Sequence, residues 1–304
     1  MFTNILIPLD GSHLAEAALN PAAWLSKKLN ATVMLIHVIE ENPPQTIHGE
    51  HHIRNDEEAC AYLTQIRKTW FDPSVKVEYH VHTEETPNVP RSITSHANEF
   101  GSNLIVMCTH GSGGLRDLIL GSIAQQVIGL GKTTVLLIKP EANSINTPDI
   151  FQRLLVGLDN NPDHEASLQV AGEFALEIQA ALHLVNVVQT VNTLKGGQAA
   201  ASVLLPTTAA AMLDLTVEAA EDYLNERAEV WRKRGLTVST KVRRGDPAQE
   251  LVLEAQESNC DAIVLGTHGK AGIDAFWSGS VAPKIVGKTD LPLLFVPAES
   301  HKVD

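Results

Sequence analysis

The stretch ILIPLDGSHLAEAAL at residues 5–19 returns at residues 154–168 as LLVGLDNNPDHEASL, with Asp10 set on Asp159. In each copy a short apolar run ends in Leu-Asp and passes into a segment of helical length. An apolar run of strand length that feeds a helix is how a βαβ unit begins. The repeat therefore predicts two things at once: an α/β fold and a tandem duplication.

The match extends outward. At the same offset TVMLIHVI (32–39) falls on ALHLVNVV (181–188), and at an offset nine residues larger LIVMCTHGSGGLRDLILGS (104–122) falls on AIVLGTHGKAGIDAFWSGS (262–280), so the second half carries an insertion. The first half predicts strands near 3–9, 32–39, 75–82, 103–109 and 133–139, with helices near 12–29, 53–71, 89–100 and 119–130. The second predicts strands near 152–158, 181–188, 236–243, 260–267 and 291–297, with helices near 162–179, 212–234, 247–258 and 279–287. Strands alternating with helices predict a parallel sheet in each half. KPEANSINTPD (139–149) is rich in Pro, Asn and Ser without apolar periodicity. It reads as a linker, giving domains at 1–140 and 151–304 joined by 141–150.

Composition narrows the function classes. With 304 residues, 44% hydrophobic and 19% charged, the chain can bury two ordinary cores. A net charge of −13 argues against general affinity for nucleic acid or anionic membrane. The three cysteines are dispersed and form no CxxC pair, and MFTNILIPLDGS lacks the basic and apolar regions of a signal peptide; both point to the cytoplasm. AAASVLLPTTAAAMLDL (199–215) is too interrupted by Pro206, hydroxyls and Asp214 to span a bilayer.

Two glycine-rich segments compete as phosphate sites. GLGKTT (129–134) resembles a P-loop but runs from a predicted helix into a predicted strand, the reverse of the polarity that aims backbone N–H groups at phosphate. It reads as a helix end and turn. The required strand, loop, helix order occurs just upstream and in its copy, where glycines and serine are spaced Gly266-x2-Gly269-x9-Gly279-Ser280; the first copy has Cys108, Gly111, Gly121 and Ser122 at those positions. Glycine admits close approach of a ligand, and the N–H groups of Ser280 and Val281 at a helix start are orphan donors favouring an anion. A glycine turn with a serine N-cap is the purely structural alternative. Asp10 and Asp159 likewise read either as ligand-edge carboxylates at a sheet's switch point or as helix N-caps.

These motifs resemble the universal stress protein family in its tandem, two-domain form, and the resemblance covers nearly the whole chain. It implies two Rossmann-like, five-stranded parallel sheets of order 3-2-1-4-5, packed as a pseudo-two-fold pair through their last strands, VLLIK and LLFVP. It also implies a stress or regulatory protein that binds ATP, with Mg2+ as an optional companion. Carried over position by position, Asp159 meets the adenine end, Val187 reads the base through its backbone, and Gly266, Gly269, Gly279, Ser280 and Val281 hold ribose and phosphates. The first-domain equivalents are Asp10, Val38, Gly111, Gly121, Ser122 and Ile123. Cys108 in place of the first glycine marks the first site as degenerate or weaker; Asn160 and Asn161 are the second domain's departures. A protein partner that the sequence does not identify is implied, and a further homodimer is allowed. The competing functions are a slow ATPase or nucleotidyl transferase, for which a P-loop lysine, a metal-spaced carboxylate pair and a nucleophile with its base are all missing, and a scaffold that binds no nucleotide.

Other residues read more plainly. His110 and His268, each before a signature glycine position, read as loop histidines packing their neighbours or as phosphate contacts, and His48, Glu50, His51 and His52 read as a solvated loop rather than a metal site. The segment 190–215 reads as a loop leading into an amphipathic helix that ends near Arg234, or as a lid or interaction surface near the second site. Trp277 packs on its loop, and Cys108 is either a redox-sensitive thiol or a small apolar filler.

Overall fold

The structure, a computed structural model, describes residues 1–43, 45–47, 50–109, 121–130, 132–140, 150–161, 165–191, 204–267 and 281–297. Contacts gather the chain into two compact units, Met1–Ile150 with Thr267–Asp304, and Phe151–Gly266.

In the first unit the strands of the first repeat are β1 (Asn4–Pro8), β2 (Thr32–Glu40), β5 (Val77–Thr86), β6 (Leu104–Cys108) and β7 (Thr134–Ile138). They lie side by side as β5-β2-β1-β6-β7, all parallel. Numbered within the repeat this is 3-2-1-4-5, as expected. β6 and β7 are buried at every residue, which is why they read as unbroken apolar runs: a parallel strand covered on both faces has no solvent side to alternate toward. β5 is the edge strand and mixes exposed and half-buried positions. Beyond β7 lies β12 (Leu293–Pro297), antiparallel, with Leu293 opposite Leu137 and Phe295 opposite Val135. The last strands of the two repeats thus meet, within this unit.

The predicted helix 12–29 is two helices, α1 (His13–Glu16) and α2 (Leu19–Leu29). Pro21 has no N–H to bond the Ala17 carbonyl, and Ala17 and Ala18 instead bond back three residues, to Leu14 and Ala15; proline is tolerated only in a helix's first turn, so the helix restarts there. A small hairpin, β3 (Thr46–Ile47) with β4 (Glu50–His51), stands where a solvated loop was expected. Two further helices follow, α3 (Asp56–Trp70), capped by Asn55 and acidic in its first turn, and α4 (Val89–Glu99), capped by Asn88; both caps supply the acceptor that orphan N–H groups need. α5 (Ser122–Leu130) ends just before β7. GLGKTT therefore runs from helix to strand, as its neighbours predicted.

The second unit repeats the arrangement with β8 (Arg153–Leu158), β9 (Ala181–Val188), β10 (Val238–Arg244) and β11 (Ala262–Thr267) in the order β10-β9-β8-β11. Its helices are α6 (Ala166–Ile178), α7 (Pro206–Lys233) and α8 (Pro247–Glu257). α7 begins six residues before the expected 212, because Pro206 sits in its first turn, where its missing N–H costs nothing. The short α9 (Ala282–Val286) precedes β12. Among the described residues no helix is long and apolar enough to cross a membrane.

Candidate functional site

In the first unit β1 pairs with β2 on one side and β6 on the other. Chain direction away from the centre reverses between them, and the carboxyl ends of such strands leave a crevice. A cleft partly open to solvent lies there, lined by Asp10, Val38, Cys108 and Ile123 together with His37, His52, Ile93 and Met107. Three residues picked from sequence, Asp10 after β1, Val38 on β2 and Ile123 on α5, thus share one cavity. Gly121 and Ser122 immediately precede Ile123 at the start of α5, where Gln125 N–H donates to the Gly121 carbonyl. Gly111 and His110 lie outside the described residues.

Asp10 is not the N-cap. Its Oδ1 accepts from Ser12 N–H at 2.9 Å and from the Ser12 hydroxyl at 2.7 Å, and Ser12 Oγ in turn accepts from Ala15 N–H at 3.2 Å. The carboxylate orients the cap from outside the helix and lies at the cleft wall. Gly11 between them has φ +91°, the left-handed region glycine enters freely.

Cys108 is 2% exposed, and its thiol donates weakly to the Thr109 carbonyl at 3.4 Å. Burial, with the Asp10 charge adding to it, pushes the thiol up to about 12. A thiol buried in this way packs as a small apolar filler at the strand end. Its Sγ takes up room that a glycine would leave open.

His52 corrects the reading of a solvated loop. It is 1% exposed, while its neighbour His51 points outward and meets Glu58 at 3.3 Å. His37 Nδ1–H donates to the Leu9 carbonyl at 2.8 Å, and burial holds the imidazole below its ordinary range. His37 Nε2 and His52 Nδ1 are buried without a hydrogen-bond partner among the described residues. They are polar handles in an otherwise largely apolar wall.

In the second unit Asp159 follows β8, Val187 lies near the end of β9 and Gly266 near the end of β11. β8 pairs in parallel with both neighbours, so all three positions share one edge. Asp159 Oδ1 accepts from Asn161 N–H at 3.1 Å, the counterpart of the Asp10–Ser12 bond. Asn160 takes the place of Gly11 with φ +61°, and Asn186 Nδ2 donates both to Asn160 Oδ1 at 3.0 Å and to the Leu158 carbonyl at 2.8 Å. Val281 is the N-cap position of α9 in the first unit. Gly269, Gly279, Ser280, His268 and Trp277 lie outside the described residues.

One pair per repeat escaped the sequence reading. Tyr62 on α3 donates to Glu16 Oε1 at 3.1 Å, and Tyr223 on α7 donates to Glu165 Oε1 at 2.7 Å. Burial, then the glutamate charge or hydrogen bond, raises both phenols. Each bond ties the repeat's second long helix to the helical segment just after the aspartate loop. The signal was present as YL followed seven residues after the leucine by Trp, at 62–70 and 223–231.

Comparison with known proteins agrees with this duplication. The model of the universal stress protein family matches residues 1–139 and again 150–297. A universal stress protein of Mycobacterium tuberculosis is 23% identical over 301 residues, 95% of each chain, and one of Bacillus subtilis is 28% identical over 151 residues, 46% of this chain and 100% of that one. The crystal structure of a universal stress protein from Archaeoglobus fulgidus superposes with a TM-score of 0.69 at 17% identity, covering 98% of this chain and 97% of the other. Two matches of one family model, laid end to end on a doubled Leu-Asp edge, show that the chain belongs to the universal stress protein family in its tandem form.

Proposed function

We propose that the chain is a cytoplasmic stress-response regulator that binds ATP, chiefly through its second repeat, with the first repeat a weaker site. The repeats, 1–140 and 151–304 about the linker 141–150, act as two adenine-nucleotide modules. The observation that carries the reading is the first-unit cleft, where Asp10, Val38 and Ile123 converge at the switch between β1 and β6 beside the buried His37 and His52. A cleft with apolar walls and a few convergent polar groups suits a planar base and its ribose. Cys108 Sγ narrows this site, whereas the second repeat has Gly266 at the matching position and keeps the whole spacing through Gly269, Gly279 and Ser280.

Asp159 and the backbone of Val187 take the adenine end, and Gly266, Gly269, Gly279, Ser280 and Val281 take ribose and phosphates. In the first repeat Asp10, Val38, Gly111, Gly121, Ser122 and Ile123 do the same with lower affinity. With a net charge of −13, phosphate is held by local N–H and hydroxyl donors rather than by a basic field, and Mg2+ would offset the ligand's own charge. Nucleotide occupancy then changes a protein partner's affinity; turnover is not required.

Titration of ATP into the full chain and its variants tests the assignment. Ser280→Ala removes a charge-assisted bond and is expected to weaken the tighter binding phase by roughly ten- to a hundredfold. Ser122→Ala should leave that phase unchanged. The reverse order would transfer the main site to the first repeat.

A further inference from the structure

β5 is an edge strand, and its alternation sends residues two apart to the same face. His80 and His82 are such a pair, and α4 brings His96 against them. His96 Nε2 lies 3.1 Å from His82 Nδ1, the His80 and His96 ring centroids are 4.6 Å apart, and one ring nitrogen from each of the three lies within 4.8 Å of the others. The His96 side chain is 12% exposed. Phe100 stacks flat on it at 5.3 Å and meets His80 edge-on.

We propose that His80, His82 and His96 form a binding site for a divalent transition-metal ion, with Zn2+ the best chemical match and a fourth coordination position open to water or an outside ligand. Imidazole nitrogen is the ligand type of Zn2+ and its neighbours in the first transition row, and three protein ligands plus an open position is a familiar zinc arrangement. Zn–N bonds of about 2.0–2.1 Å at tetrahedral angles place ligand nitrogens about 3.4 Å apart. The His82–His96 pair already stands near that spacing, and His80 needs to close by at most about 1.4 Å, a side-chain rotation.

The hydrogen bonds favour the same assignment. His96 Nδ1 lies 2.9 Å from Glu99 Oε2, so it holds its proton against the carboxylate and turns the Nε2 lone pair toward the cluster, the way outer carboxylates orient ligand histidines. In the empty site the proton between the rings then sits on His82 Nδ1. Binding frees that nitrogen if His82 moves its proton to Nε2. The tautomer changes and no net proton is released.

The second repeat supplies an independent comparison. Strand and helix equivalence puts Lys241 at the place of His80, Arg243 at that of His82, Glu254 at that of His96 and Glu257 at that of Glu99. There the Arg243 guanidinium binds Glu254 at 3.1 Å and Glu257 at 2.6 Å. The second repeat builds its own cation into this corner. The first presents three imidazoles in the same corner.

The test uses the chelator-treated full chain and Zn2+ alone, followed by competition with a chromogenic chelator, with Co2+ as a spectroscopic substitute. Wild type is expected to take up one tight equivalent and to show the intense visible bands of tetrahedral Co2+. His80→Asn and His82→Asn, on a half-exposed edge strand, should lose both while keeping the wild-type circular dichroism, and His51→Asn should keep both. Glu99→Gln should weaken Zn2+ at least about tenfold. The proposal is overturned if wild type shows no saturable site, or if tight uptake survives in His80→Asn and His82→Asn. Neither result bears on the nucleotide reading, which rests on other residues.

Discussion

Asp10 and Asp159 each accept the backbone N–H two residues on, and the residue between is left-handed in both copies although one is Gly11 and the other Asn160. Duplication has kept the left-handed backbone angle and exchanged the residue. The rule recurs away from the site. Asn30 and Gln179 close α2 and α6 at φ 51° and 64°, and Asn103 Oδ1 and Asp261 Oδ2 each accept from two successive N–H groups where the repeat's first strand begins, Thr3 with Asn4 and Gln152 with Arg153. Asn160 and Asn161 therefore looked like departures only as letters. The two positions nevertheless differ in tolerance: a Cβ at Gly11 would meet Ile53 Cδ1 at 2.7 Å, on top of its φ of +91°. Gly11→Ala is expected to lose about 1–2 kcal/mol in urea unfolding, while Asn160→Gly should stay within about 0.5 kcal/mol of wild type.

Two features of the second unit carry predictions at the scale of elements. α6 packs on α7 through Gly172, where an added Cβ would overlap the Trp231 ring, itself buried. Replacing a helical glycine by alanine ordinarily gains up to about 1 kcal/mol. Here overpacking against a rigid buried indole reverses the sign, and Gly172→Ala should cost about 1–3 kcal/mol and lower the thermal midpoint. On β9, His183 Nε2 meets Glu254 Oε1 of α8 at 2.8 Å, with both side chains nearly fully buried. Burial alone would raise Glu254, but the Ser258 hydroxyl, His183 and Arg243 outweigh it and hold the carboxyl below its ordinary 4.5. A depressed carboxyl stabilises the fold above the unfolded value and ceases to do so as pH falls through the folded one. Glu254→Ala should cost roughly 3 kcal/mol at neutral pH, and the variant's stability should fall less steeply than wild type's below about pH 4.5. An unchanged acid limb would show that the carboxylate is not the titrating link.

For the whole molecule, the repeat made most of the fold legible. Periodicity returned the main strands in order, and the direction of GLGKTT relative to its neighbours was enough to set it aside. The hairpin of β3 and β4 and the break before α2 were not legible, since two-residue strands have no period and the break hangs on one missing N–H at Pro21. Asp10, Val38 and Ile123, carried over from the family resemblance, fall on one cleft because position in the repeat travels with the fold. The inward turn of His52, the Tyr62–Glu16 bond and the meeting of His80 and His82 with His96 depend on which faces are brought together by packing. That information is not local in the sequence.

The account stands on nucleotide binding by the intact chain, and equilibrium calorimetric titration of the wild-type protein with ATP tests this most directly. It predicts saturable binding with one dominant site per chain and a second, weaker phase. Absence of any saturable binding up to millimolar ATP, with the protein folded throughout, would contradict it.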